Sequence, residues 1–597
     1  MKRTSIWEEF LAFSVATLLL NAHATAQMNL DTSRISQSLY FDSDAAESSS
    51  RHDLHARLPE LIRSLMSTPD HAIEPELARI EAFQVSVQRH AAYFKVKTLE
   101  DTKDAEARAA RDEISADQDT LDAAVTLRLR QLPKSVGESL GKYALLARMS
   151  RMEGFHSLHP EAERYRGSVV APVESAIADA RDEIENRIKK PSELKSADTP
   201  ARRAAIAAWN ASYQGVAAEE SELLAVLVDI ENRDAVAQGY RNAADRKYQE
   251  LGLSESLVRS TLAAVQNQAP TYRRYQEVVA RHAAKRLAVP FVVSSEVGLA
   301  MTACPSVPPN GAMKFILESL QPLGDDYVTR FARLLDPANG RLDLMGGANR
   351  ANAGTSIVAY DGPTALYFTG YDGSLRQLGT IAHEGGHAIH RELMNASSIP
   401  VYQRSGPSYL FEGFAILNEL LLLDHAARIA KTPSDKQCAL EHFLSKVTLE
   451  LFVSAEEASF EMQLYEAAFG KSLLDRDKID ALYQASIAPY ETWSTDGAGL
   501  SRGWMTKKLV FEDPLYLVNY LYASAIAVCL YDKLESDPSF GPMYATLLRR
   551  GFDKEPKDLL ADFGIRFDSP EVFARAARLV EEKTRELERL YADGDMR

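Results

Sequence analysis

Apolar residues recur at helical spacing along most of the chain. Residues 101–130 and 160–189 place them every three or four positions, with charged residues between, which predicts long amphipathic helices with solvated outer faces. A sharper pattern follows the turn residues Tyr371, Asp372 and Gly373. Leu375, Leu378, Ile381 and Ala382 form one stripe, and Ser374 with Gln377 three residues later forms a capping box. The spacing predicts a helix running to about Leu393, ended by Asn395 and Pro400. A second apolar helix opens at Gly406-Pro407-Ser408 and runs past Phe411 into four consecutive leucines, 420–423. Two short runs of β-branched and aromatic residues, 355–360 and 364–369, flank Asp361-Gly362-Pro363 and predict a β-hairpin. A polar break from Pro191 to Pro200 divides the helical runs. The fold class expected is therefore mainly α, with a helical layer over 27–190 and a second region over 200–597 in one continuous fold.

Inside the first of these helices lies His383-Glu384-Gly385-Gly386-His387. Residues four apart share a helix face, so both imidazoles can reach one zinc ion, and Glu384 can hold and deprotonate a water beside it. The bland alternative is a buried helix with two satisfied histidines. Gly385 and Gly386 each cost about 1 kcal/mol relative to alanine in a helix interior, a cost suited to a place where another backbone comes close. A hydrolytic zinc site needs a third protein ligand. Glu412 and Glu419 stand two turns apart in the strongly apolar second helix, where uncompensated carboxylates are expensive. Glu412 is the expected third ligand, and Glu419 the expected partner that orients a ligand histidine.

A donor for the developing oxyanion is sought in the tyrosine-rich run 513–523, read as one helix. Tyr516 and Tyr520 are four apart and share a face, and Tyr522 points elsewhere; the choice among them stays open, with Tyr520 and Tyr516 favoured. The glycine-rich segment 344–354 lacks the lysine and hydroxyl residue of a phosphate loop and reads as a loop over a cleft.

The run from Tyr367 to Asp372, followed by Leu378 to His390, resembles the core of the thimet oligopeptidase and oligoendopeptidase F family. Glu412, 29 residues after His383, falls on that family's third zinc ligand, and Glu419 matches a further family glutamate. The segments 543–551, 556–560 and 563–568 resemble the family's C-terminal signature. Gly385 departs from the family motif, which carries one glycine, at the position of Gly386. No histidine occurs between Trp504 and Tyr522, where family members often have one. The resemblance covers roughly 290–590. It implies an elongated two-lobed helical body with a deep central channel, and a small sheet beside the zinc helix that offers an edge to an extended peptide. It also implies one Zn²⁺ and internal cleavage of short oligopeptides. The alternatives are a related dipeptidyl carboxypeptidase or carboxypeptidase, gripping a terminal carboxylate with Lys507, Lys508 or Arg502, and a peptide-binding protein without turnover.

Composition narrows partners and compartment. With 46% hydrophobic and 25% charged residues the chain is an ordinary soluble globular protein. A net charge of −16 argues against nucleic acid, and no run after residue 26 is long and apolar enough for a membrane. A monomer is expected. Met1-Lys2-Arg3, the apolar residues 10–20 and Ala24-Thr25-Ala26 read as a signal peptide over 1–26, which predicts export, to a bacterial periplasm, with a cytoplasmic enzyme as the alternative. Cys304, Cys438 and Cys529 allow at most one disulfide, and Cys529 sits in an apolar run that reads as buried.

Overall fold

The computed structural model describes residues 34–594 apart from 155, 157, 159, 398, 470–473 and 494–502, so the signal peptide expected over 1–26 lies outside the described residues. The chain is mainly helical with one small sheet, as the hydrophobic patterning predicts. In the N-terminal layer α1 is Asp44–Ser67, α2 is Ile73–Glu100 and α3 is Ala105–Gln131. Leu54, Leu58, Leu61 and Leu65 of α1 pack against Leu77, Ile80, Phe83 and Val87 of α2 and Ile114, Leu121, Val125 and Leu129 of α3. This i, i+3, i+4 spacing is what lets three amphipathic helices share one core.

Over the polar break from Pro191 to Pro200 the chain leaves the helix Pro160–Arg187, makes a single tight turn over Ser192–Lys195 and starts α4, Thr199–Ala237. The second half follows with α5 (Asp325–Leu335), α6 (Leu375–Asn395), α7 (Ser408–Ile429), α8 (Pro433–Thr448), α9 (Ser454–Phe469), α10 (Val518–Ser536) and α11 (Phe540–Arg550). One apolar core extends from Ile177 to Tyr591 through these helices. Helix α7 lies in its middle, with Leu410, Leu417, Leu420 and Leu422 fully buried.

The predicted hairpin forms, but with shorter strands and as part of a larger sheet. Strands β2 (Gly354–Ile357) and β3 (Ala365–Phe368) pair antiparallel, Thr355 opposite Tyr367 and Ser356 opposite Leu366. A two-residue strand, β1 (Leu342–Asp343), joins β3 in parallel, so the order is β1–β3–β2 and β2 is an outer strand. One face of the sheet is covered by the end of the N-terminal layer. Ala92, Tyr93, Phe94 and Val96 of α2 share a core with Ile357, Ala359, Ala365 and Tyr367. The Tyr367 hydroxyl and the Ala351 N–H both donate to the Leu99 carbonyl, at 2.9 and 2.8 Å.

Cys304 and Cys438 are joined in a disulfide, which resolves the pairing that the sequence left open, and Cys529 is a buried free thiol as expected. The bond ties the segment before α6 to α8. Among the described residues no helix is long and apolar enough to cross a membrane.

Candidate active site

Helix α6 begins as its sequence dictates. Ser374 accepts from the Gln377 N–H at 3.1 Å, while the Gln377 side chain reaches back to the Asp372 N–H at 2.6 Å and donates to the Gly370 carbonyl. The two mid-helix glycines answer close approaches on two sides. A Cβ at Gly385 would lie 2.1 Å from Cζ of Phe331 on α5. One at Gly386 would lie 3.1 Å from the Ala415 Cα and 2.8 Å from the Asn418 amide nitrogen on α7. Asn418 also donates to the Ala382 carbonyl at 3.0 Å, locking α7 to α6 within the helix ladder.

This contact brings the expected ligands together. His383, His387 and Glu412 each present a donor atom within one 4.8 Å cluster. The His383 Nε2 is 3.2 Å from the His387 Nε2 and 3.3 Å from a Glu412 oxygen. The Nδ1 of His383 lies 2.7 Å from Glu419 Oε1, so both helix-α7 carboxylates turn to the same imidazole. Burial works against a charged His383, but hydrogen bonds to Glu412 and Glu419 overcome it and lift its pKa to about 10. Burial likewise opposes ionisation of Glu412, yet the His383 hydrogen bond and nearby histidines bring it down to about 2. His387 moves the other way, lowered by burial.

The donor set fits a zinc ion. It offers two imidazoles and one carboxylate, and the buried Glu412 Oε2 faces the His383 Nε2 at 3.3 Å. Cys304, Cys438 and His442 form a second close cluster, but the sulfurs are already bonded to each other. It therefore offers an ion only His442.

Behind Glu419 stand two residues that sequence reasoning missed. Lys446 on α8 forms an ion pair with Glu419 and another, at 2.8 Å, with Glu450 in the wide helical turn Leu449–Val453. All three are buried or nearly so. Burial works against the Lys446 charge, but the two carboxylates hold its pKa above the usual lysine value, while burial raises Glu450 to about 7. A lysine and glutamate four apart in an apolar run was the available signal.

Glu384 is held from the sheet. The backbone N–H of Ser356, on the outer strand β2, donates to Glu384 Oε2 at 2.8 Å. No side-chain pattern announces such a contact.

The tyrosine segment departs from the expected single helix. Helix α10 starts only at Val518, because Pro514 and Leu515, with φ of +63°, turn the chain first. The Leu515 N–H is taken up by the buried Glu461 at 2.6 Å. Tyr516 thus precedes the helix, yet its ring meets that of Tyr520 edge-on at 5.6 Å. Burial, reinforced by the charges of Glu412, Glu450 and Glu384, pushes the Tyr520 hydroxyl well above its ordinary pKa and keeps it a proton donor. Tyr522 is fully buried and bonds Thr261 at 2.8 Å, away from these carboxylates.

A mainly helical fold carries this cluster beside an outer strand, and known proteins share both the family signature and the fold. Residues 335–579 match Peptidase family M3. Oligoendopeptidase F (plasmid) of Lactococcus lactis subsp. cremoris is 24% identical over 248 residues, 41% of each chain, so the chain spans about two fifths of that relative's length. In structure, a candidate peptidase from Chlamydophila abortus superposes with a TM-score of 0.81, at 18% identity, over 94% of this chain and 98% of the other. Oligoendopeptidase-F from Enterococcus faecium gives 0.62, at 17% identity, over 91% and 99%. Over residues 335–579 the chain is thus similar to Peptidase family M3, and its fold is that of the oligoendopeptidase F structures.

Proposed function

We propose that this peptidase is a zinc-dependent endopeptidase that cleaves internal bonds of short oligopeptides. The observation that carries the reading is the convergence of His383, His387 and Glu412 on one point, with Glu384 held beside them by the Ser356 N–H. These three residues would hold the zinc, with Glu419 fixing the tautomer and direction of His383. Zinc there would supply Lewis acidity, making a water a stronger acid and a peptide carbonyl a better electrophile.

The remaining steps belong to the chain's own residues. Glu384 takes the proton of the attacking water and passes it to the leaving amine. Tyr520, kept as a phenol, donates to the carbonyl oxygen as negative charge builds, and Tyr516 braces its ring. An extended substrate pairs with the outer edge of β2. Alternation along an antiparallel strand turns Gly354, like Ser356, away from β3. At Gly354 the Phe368 ring fills the space a Cβ would occupy, at 2.7 Å.

Two cations that could grip a terminal carboxylate are engaged elsewhere, Lys507 with Glu457 at 2.5 Å and Lys508 with Glu512 at 3.0 Å, which favours the endopeptidase over a carboxypeptidase. Arg502 lies outside the described residues. The proposal includes a monomer divided into the layer 27–190 and the catalytic region 200–597. It also includes export to an oxidising compartment such as a periplasm, where the Cys304–Cys438 disulfide would persist.

The test is hydrolysis of quenched fluorescent peptides, free and amidated at the C-terminus, mapped by mass spectrometry. Internal cleavage of both forms is expected. Trimming confined to free carboxyl ends would replace the endopeptidase with the exopeptidase, and no cleavage of any peptide would overturn the reading.

A further inference from the structure

The strand that holds Glu384 is itself held from the N-terminal layer. Ser356 faces away from β3, as its place opposite Leu366 requires, so both of its backbone groups lie on the outer edge of the sheet. Its N–H goes to Glu384 at 2.8 Å. Its carbonyl accepts from the Lys95 ammonium, also at 2.8 Å, and Lys95 reaches the Thr355 hydroxyl at 3.2 Å. The two backbone groups belong to successive peptide planes. Fixing both therefore fixes the φ and ψ of Ser356, and with them the direction in which the N–H points at the carboxylate.

Lys95 is delivered to this position by packing. Its neighbours Phe94 and Val96 are buried in the core that α2 shares with the sheet, so the lysine leaves a fixed backbone. The end of α2 is tied to the sheet again where Tyr367 and Ala351 donate to the Leu99 carbonyl. A hydrogen bond from an ionised donor is also stronger than a neutral one, which suits a group asked to hold an edge strand that, among the described residues, has no neighbouring strand on that side.

We propose that Lys95 is a positioning residue for the reaction, acting on Glu384 through Ser356. The N-terminal layer then completes the reaction centre rather than only covering it. A further consequence concerns the substrate. With both pairing groups of Ser356 in use, the edge offered to a peptide strand is that of Gly354, and Lys95 sets where the pairing stops. The kinetic part rests on the proposed peptidase function.

The test uses the full-length, zinc-loaded protein with Lys95→Met and Lys95→Arg. Steady-state hydrolysis of one quenched peptide is read beside metal content and hydrogen exchange of the segment 354–357. Lys95→Met should lower kcat about tenfold, with KM and metal content within about twofold, because misaiming a catalytic group costs rate rather than binding. Lys95→Arg, which keeps a charged donor, should recover most of that loss. Exchange over 354–357 should be faster in Lys95→Met than in the wild type. A kcat within twofold of wild type, a loss confined to KM, or no advantage of Arg over Met would overturn the proposal. If the wild type cleaves no peptide, the functional reading fails by itself, and exchange decides: acceleration supports the brace and unchanged exchange overturns it. If Lys95→Met does not fold, Lys95→Gln takes its place against the same outcomes.

Discussion

Gly385→Ala isolates the reason for the second glycine in the H-E-x-x-H helix. Two opposing effects are calculable. Replacing a mid-helix glycine by alanine stabilises the helix by about 1 kcal/mol when nothing else changes. Here the new methyl would stand 2.1, 2.6 and 2.9 Å from three carbons of the Phe331 ring. Ordinary carbon contacts need about 3.5–4.0 Å, so the ring must withdraw by more than about 1 Å. Phe331 is fully buried and lies against Tyr327, with ring centroids 6.2 Å apart, which leaves the ring little room. Overpacking of this kind typically costs about 1–3 kcal/mol, and this overlap belongs at the upper end. The sum is a net destabilisation of about 1–2 kcal/mol. Urea unfolding read by tryptophan fluorescence would show a lower midpoint for Gly385→Ala. In a Phe331→Leu background the same substitution should cost nothing or stabilise, giving a coupling of at least about 1 kcal/mol in the double-mutant cycle. Equal or greater stability of Gly385→Ala in the wild-type background would refute the reasoning.

Other outcomes follow from the same contacts. Glu419→Gln should weaken zinc binding about 10–100-fold in a chelator competition, because His383 Nδ1 loses its charged acceptor; unchanged affinity would contradict the role given to Glu419. Tyr520→Phe should lower kcat about 10²–10³-fold, the usual loss for one oxyanion donor. Tyr522→Phe, which removes only the bond to Thr261, should leave kcat unchanged, and equal effects would remove Tyr520 from the mechanism. Burial raises Glu461 from the ordinary 4.5 to about 8, so its contribution to stability is complete below pH 4.5 and is lost as pH rises through about 8. Glu461→Gln keeps an acceptor for the Leu515 N–H without the charge, and thermal unfolding between pH 5 and 8 should be flatter for the variant; an unaltered slope would count against a protonated Glu461.

The parts of the site legible in the sequence are those whose spacing is set by one helix. His383, Glu384 and His387 lie within a single turn and a half, and the Ser374 cap is a local bond. Glu412 and Glu419 were legible as costly charges in an apolar helix, although their convergence on His383 depends on how α7 crosses α6 at Gly386. The tyrosine segment was misread because Leu515 adopts its turn with Glu461, 54 residues away, taking its N–H. Strand β1 has two residues, too few to show alternation. Lys95 sits at a helix position where a cation bound for solvent and one bound for a buried acceptor look alike, and Lys446 was marked only by its spacing to Glu450. The Ser356 contact is a backbone bond, invisible to any reading of side chains.

The proposed chemistry depends on Glu384 moving the proton at a zinc centre built by His383, His387 and Glu412. Its most direct test is Glu384→Gln, with metal content by mass spectrometry beside turnover of a quenched peptide. Zinc should be bound in the same amount as in the wild type, with kcat lower by about 10²–10⁴-fold. Hydrolysis near the wild-type rate with zinc in place would contradict it.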